Sequence, residues 1–140
     1  MDVDTAYEIH RLFPVGPERL FAAFTNREIL KNIWGLSNIS VDARVGGQTL
    51  AKMEIAGENW NFTITYTEIV PARTLRWVTH FERFPNKETR VTLLFEKTAE
   101  GTQLTLRQEN FETSQERNAN REALTNALSR LAGLLTSSPL

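Results

Sequence analysis

The segment "VDARVGGQTL" (41–50) contains Asp42, Arg44, Gly46 and Gly47, residue types that could bind a phosphate. A phosphate loop needs several backbone N–H groups that converge on one point, usually at the start of a helix. Neither G-x-G-x-x-G nor G-x-x-x-x-G-K-[ST] occurs here, and the residues after Gly47 have the pattern of a strand. The two glycines therefore predict a turn. Asp42 and Arg44, two apart on one predicted strand, could pair with each other or with a neighbour.

The chain has two histidines, His10 and His80, and no cysteine. The lack of cysteine excludes disulfides, thiolate metal sites and cysteine nucleophiles. Neither histidine has the spacing typical of a metal site, and no G-x-S-x-G turn is present. We therefore expect no metal and no cofactor, and we expect His80 on a polar strand face. An enzyme working inside a cavity would need an inward acid or base, for which Tyr66, followed by Glu68, is the best candidate.

Composition narrows the classes of partner. The net charge of −1 over 140 residues gives no general attraction to nucleic acid or to an anionic membrane. The acidic N-terminus lacks the apolar stretch of a signal peptide, and no apolar run approaches the roughly 20 residues that span a bilayer. We expect a soluble, cytoplasmic protein with one domain over residues 1–140 and with neither nucleic acid nor membrane as partner. The sequence is compatible with a monomer or a homodimer.

An antiparallel sheet must position most of the candidate side chains. Residues 5–13 are rich in β-formers and predict a first strand, and two short helices follow, over residues 17–24 and from about residue 26 to 34. From residue 38 to 110 apolar and polar residues alternate, which predicts strands with one apolar face. The inward series are Trp60, Phe62, Ile64 and Tyr66; Leu75, Trp77, Thr79 and Phe81; Val91, Leu93 and Phe95; and Leu104 and Leu106.

A long helix closes the chain. The segment "TSQE" (113–116) has the form of a capping box, which marks a helix start. An apolar stripe follows at helical spacing, and small residues widen it. The stripe consists of Leu124, Leu128, Leu131 and Leu135, with Ala123 and Ala127 beside them. A run of strands followed by a helix predicts an α+β fold in which this helix covers the apolar face of the sheet.

Four segments resemble a known family in their order and spacing. They are "PERLFAAFTNREILKNIWG" (17–35), "VDARVGG" (41–47), "YTEIVPARTLRW" (66–77) and "GTQLTLRQENF" (101–111). Together they are similar to the START-like (SRPBCC) superfamily, in the branch that resembles activators of the heat-shock-protein-90 ATPase. Ala123 and Leu124 stand where that branch often has a Gly-Trp pair, so a relative's ligand cannot be transferred to this chain.

The resemblance implies a helix-grip fold. In this fold a curved antiparallel sheet of about six or seven strands wraps around a long C-terminal helix, two short helices follow the first strand, and an apolar cavity often separates sheet and helix. The superfamily includes carriers, cyclases, co-chaperones and sensors, so the fold alone does not assign a function.

The hypothesis about function depends on the aromatic residues that are predicted to face inward. Most of them are expected in the packed core, and some are expected to line a pocket, since aromatic walls with a few polar groups are typical of small-molecule sites. The leading hypothesis is a non-enzymatic module that binds a small apolar or amphipathic molecule. A chaperone-regulating domain with a protein partner is the second, and a cavity-based cyclase or hydrolase is the third. The predicted cavity residues are Trp34, Trp60, Phe62, Tyr66, Trp77, Thr79, Phe95, Gln108, Leu124 and Leu128.

Overall fold

The computed structural model of the chain describes residues 5–84 and 86–137. The predicted domain bounds, residues 1 and 140, lie outside the described residues. Within the described ranges nine strands and three helices follow one another. They are β1 (Ala6–Phe13), α1 (Pro17–Ala23), α2 (Arg27–Trp34), β2 (Asn38–Ser40), β3 (Gln48–Lys52), β4 (Glu54–Ile55), β5 (Glu58–Asn59), β6 (Phe62–Val70), β7 (Thr74–Phe81), β8 (Thr89–Thr98), β9 (Gly101–Glu109) and α3 (Ser114–Ser137).

Seven of the strands form one curved antiparallel sheet in the order β1-β9-β8-β7-β6-β3-β2. Strands β6 to β9 are hydrogen-bonded in succession, and β1 closes one edge by pairing with β9. Strands β4 and β5 form a separate two-stranded hairpin. The α+β helix-grip fold predicted from the sequence is confirmed, including the two short helices after β1 and the long α3.

The helix boundaries lie where the local signals predict them. The Asn26 side chain accepts a hydrogen bond from the N–H of Ile29 at 3.0 Å and starts α2, and Gly35, with φ of 65°, ends it. The Thr113 hydroxyl accepts a hydrogen bond from the N–H of Glu116 at 3.1 Å, which caps α3 as the "TSQE" segment predicts. Each cap supplies a partner for a backbone group that the first or last turn of a helix leaves free.

The core lies between the apolar face of the sheet and α3. Leu128, Leu131 and Leu135 are at most 6% exposed, and they pack with buried residues of the central strands. Burying a side chain of this kind contributes about 1.5–3 kcal/mol, so burial of the leucine stripe favours the packing of α3 against the sheet. Leu124, one turn before Leu128, is only partly buried because it lies beside a cavity.

Gly46 and Gly47 form a turn that leads into β3. Gly46 has φ of 83°, and its N–H donates to the carbonyl of Tyr66 at 2.9 Å. A Cβ on Gly47 would lie 2.3 Å from the Asp42 carbonyl oxygen, so the close approach of two backbone segments requires glycine here. Asp42 and Arg44 do pair, with Nε 3.0 Å from each carboxylate oxygen. The expectation that these two residues share a strand is wrong, because they lie in the loop before β3.

Candidate functional site

A cavity of ≈ 330 Å³ lies between the inner face of the sheet and α3. Of the sixteen described residues that line it, eleven are apolar and one, Arg130, is charged. Trp34 forms one wall, and its ring meets the rings of Phe62 and Trp77 edge-on at centroid distances of 5.8 and 6.4 Å. The site is therefore a mostly aromatic and aliphatic chamber.

Small side chains on α3 leave this space open. Ala127 is 2% exposed and lines the cavity, and Ala123, one turn earlier, lies at its outer end. The facing strand positions carry larger residues such as Trp77 and Val91. An alanine ends at Cβ, so the helix cannot fill the gap that its leucines fill further along. The short side chain of Ala127 on the buried face of α3 therefore leaves space between this helix and the sheet.

The polar groups on the floor of the cavity already have protein partners. Trp77 Nε1 donates to the Thr79 hydroxyl at 3.1 Å. Tyr7 donates its hydroxyl to Gln108 Oε1 at 2.6 Å, and Gln108 Nε2 donates to Thr89 at 3.0 Å. Burial raises the pKa of the Tyr7 phenol, so it stays protonated and remains a donor near neutral pH. Because these groups are hydrogen-bonded within the protein, an apolar molecule can cover them with only a small desolvation penalty.

A second cavity of ≈ 270 Å³ adjoins the first and shares Thr79, Phe81 and Asn120 with it. Trp60 lines this second space, where its ring packs against Phe84 at 6.2 Å and beneath the Arg83 guanidinium at 4.2 Å. Trp60 continues the alternation of apolar residues in β6, but β6 begins only at Phe62, so Trp60 lies outside the sheet.

Six predicted residues line the first cavity, and three lie elsewhere. Tyr66, Phe95 and Leu128 line neither cavity under α3. The Tyr66 hydroxyl is 2.6 Å from the Thr49 hydroxyl, and Phe95 packs against Phe21 of α1 at a centroid distance of 5.4 Å. These three side chains fill the core instead. The residues at the first cavity are Trp34, Phe62, Trp77, Thr79, Gln108 and Leu124. That they contact a ligand stays a prediction.

The acid–base pair considered for an enzyme lies away from the cavity. A bulge between Tyr66 and Glu68 shifts the register of β6 against β7, and Glu68 then pairs with Arg76 at 3.0 Å on the outer face. Burial raises the pKa of Tyr66, which keeps its phenol neutral. Among the described residues no group of three or more His, Asp or Glu side chains could hold a metal ion. The two histidines lie on exposed faces beside carboxylates, His10 at 3.1 Å from Glu8 and His80 at 3.3 Å from Glu88.

Sequence reasoning missed the polar residues of α3 that reach the cavity. Asn120, Asn126 and Arg130 line it together with Ala127. Asn126 and Arg130 are four residues apart and therefore lie on one face of the helix, which is a usable signal. The Arg130 Nη1 donates to the carbonyl of Ile33 at 2.8 Å, in the last turn of α2. Asn126 and Arg130 line the cavity and are exposed to solvent, and the edge that they form is called its mouth below.

Comparisons with known proteins agree with this architecture. Residues 14–136 match the family described as Activator of Hsp90 ATPase homolog 1-like protein. No curated protein matches the sequence. Three solved structures share the fold: protein CV1439 from Chromobacterium violaceum (23% identity, TM-score 0.84, covering 93% of this chain and 96% of that one), protein Ms6760 from Mycobacterium smegmatis (20%, 0.81, 97% and 94%) and protein MLL2253 from Mesorhizobium loti (19%, 0.81, 96% and 99%). Within the described residues, no helix is long and apolar enough to span a membrane.

Proposed function

Since the chain belongs to the Activator of Hsp90 ATPase homolog 1-like family, we propose that it is a non-enzymatic module that binds a small apolar or amphipathic molecule between the sheet and α3. Family and fold support, in general terms, a domain that binds a ligand or regulates a chaperone of the Hsp90 type. The observation that carries the finer proposal is the cavity. Its volume of ≈ 330 Å³ falls within the range of about 300–1,000 Å³ that is typical of small-molecule sites.

Burial of apolar surface would supply most of the affinity. The transfer of apolar surface from water contributes about 25 cal/mol per Å², from which the costs of association are subtracted. The walls of Trp34, Phe62 and Trp77 offer such surface, and the paired polar groups of the floor require no compensation by the ligand. The ligand class that fits these walls is a short hydrocarbon or ring system.

A series of straight-chain alcohols tests the proposal without any charged group. We expect hexanol, octanol and decanol to bind with one-to-one stoichiometry in calorimetry, with affinity rising about fourfold per added methylene until the cavity is full. Trp34 and Trp77 line the cavity, so their fluorescence should change on binding. A Trp60→Phe variant should keep this change, because Trp60 lies in the neighbouring space. Absence of saturable binding across the series would overturn the proposal.

A chaperone-regulating role is the second candidate, because the matched family is named for an activator of the Hsp90 ATPase. Leu50 and Ile55, in β3 and β4, are 51% and 50% exposed and could contribute to a protein contact. The measurement is the ATPase rate of Hsp90 with saturating protein. A rise in the rate that Leu50→Ser and Ile55→Ser abolish would support this role, and an unchanged rate would count against it.

A further inference from the structure

One cation and no anion line the first cavity. Among the described lining residues Arg130 carries the only charge, and the others are apolar, hydroxyl or amide side chains. Arg130 lies on the exposed side of α3 and has no ion pair with a described carboxylate, although many other arginines of the chain have one. Arg130 is therefore a cation at the cavity that has no carboxylate partner among the described residues.

The Arg130 guanidinium is positioned by one hydrogen bond and keeps unused donors. Toward the described part of the chain one of its five N–H groups is used, since Nη1 donates to the carbonyl of Ile33 at 2.8 Å. Asn126, one helical turn before Arg130, also lines the cavity and is exposed, and its side chain makes no hydrogen bond to another described residue. Two side chains with free donors thus lie side by side at the mouth.

We propose that the ligand is an amphipathic carboxylate, with its head group bound by Arg130 and Asn126 at the mouth and its apolar part inside the cavity. This inference rests on the proposed function and adds the chemistry of the head group. A guanidinium matches the planar geometry of a carboxylate through two parallel hydrogen bonds. A phosphate monoester carries about −1.5 to −2 charges near pH 7, which one arginine would leave partly uncompensated. The single charge of a carboxylate is the better match.

Arg19 provides a matched control for the structural role of Arg130. It is also an exposed arginine that donates to a backbone carbonyl, that of Leu135 at 3.1 Å, and it lines neither cavity under α3. Arg19→Met and Arg130→Met each remove one positive charge and one arginine–carbonyl hydrogen bond. Only Arg130→Met removes the proposed head-group site. Urea unfolding of both variants shows whether their losses of stability are comparable.

Calorimetry with decanoate, decanol and decyl phosphate at about pH 7.5, where a carboxylic acid is ionised, tests the proposal. We expect decanoate to bind wild type about tenfold more tightly than decanol, because a charge-assisted hydrogen bond adds to the same apolar contacts. Arg130→Met should weaken decanoate about tenfold and change decanol less than about twofold, and Arg19→Met should change neither affinity.

Five results would overturn the assignment. Equal affinities of decanoate and decanol for wild type, or equal weakening of both by Arg130→Met, would show that Arg130 has only a structural role. Tighter binding of decyl phosphate than of decanoate would contradict the choice of a carboxylate. If none of the three ligands binds, the proposed function fails together with this inference. Binding of decanol alone to wild type leaves the binding module intact and removes only the anionic head group.

Discussion

Partial filling of the cavity from the helix side should make the protein more stable and weaken ligand binding. Ala127 is 2% exposed and lines the cavity, so an Ala127→Leu substitution would place three more carbon atoms in empty space. Burial of these atoms contributes about 0.8 kcal/mol each, and the lost rotamer freedom of leucine costs about 0.5–1 kcal/mol. We therefore expect a gain of about 1–2 kcal/mol in the free energy of unfolding, measured by urea denaturation, and at least a tenfold loss of decanol affinity, measured by calorimetry.

Ala23→Leu is the matched control for this substitution. Ala23 is equally buried, also lies on a helix, and lines neither cavity under α3. Ala23 belongs to the buried core cluster, so the added carbons must displace its neighbours, and overpacking of this kind costs about 1–3 kcal/mol. The reasoning is refuted if Ala127→Leu destabilises the protein as much as Ala23→Leu does. Unchanged decanol affinity in Ala127→Leu would also refute it.

Three further predictions concern the scaffold. Gly47→Ala should lower the free energy of unfolding, measured by urea denaturation, by more than about 1 kcal/mol, because the new Cβ would lie 2.3 Å from the Asp42 carbonyl oxygen. A variant as stable as wild type would contradict this prediction. Gly133→Ala in α3 meets nothing within 4 Å and should raise the unfolding free energy by about 0.5–1 kcal/mol, and a loss would contradict it. Burial raises the pKa values of Tyr7 and Tyr66 above those of the unfolded chain. The contribution of these two phenols to the free energy of unfolding is therefore fully present below about pH 10 and is lost as the pH rises further. Urea midpoints that do not change between about pH 8 and pH 11 would contradict this prediction.

Local chemistry explains why the helices and the order of elements could be predicted. Asn26, Gly35 and Thr113 each contact a backbone group within a few residues, so both partners of each of these three caps are close together in the sequence. Alternation of apolar and polar residues also predicts which side chains of a strand face inward, as long as the strand is regular. It fails at the bulge after Tyr66, because the register of β6 depends on its pairing with β7, which sequence alone does not define.

The candidate site was only partly predictable because its walls come from distant segments. Strand alternation placed Phe62 and Trp77 on the inner face of the sheet, and Trp34 of α2, which was predicted to line the cavity, meets both rings. Arg130 was missed because a polar residue on a terminal helix resembles a solvent-facing one, and only the packing of α3 against α2 brings it to the mouth. Trp60 shares the strand phase and still lies in the neighbouring cavity, because β6 begins two residues later.

A crystal structure of the protein with a decanoate that carries bromine on its terminal carbon would test the central claim most directly. The anomalous signal of bromine locates the end of the hydrocarbon chain independently of the rest of the ligand. We predict one bromine peak inside the cavity, between Trp77 and Ala127, with the carboxylate at the mouth beside Arg130. A bromine peak on the outer surface, with the space between the sheet and α3 free of ligand, would contradict the account.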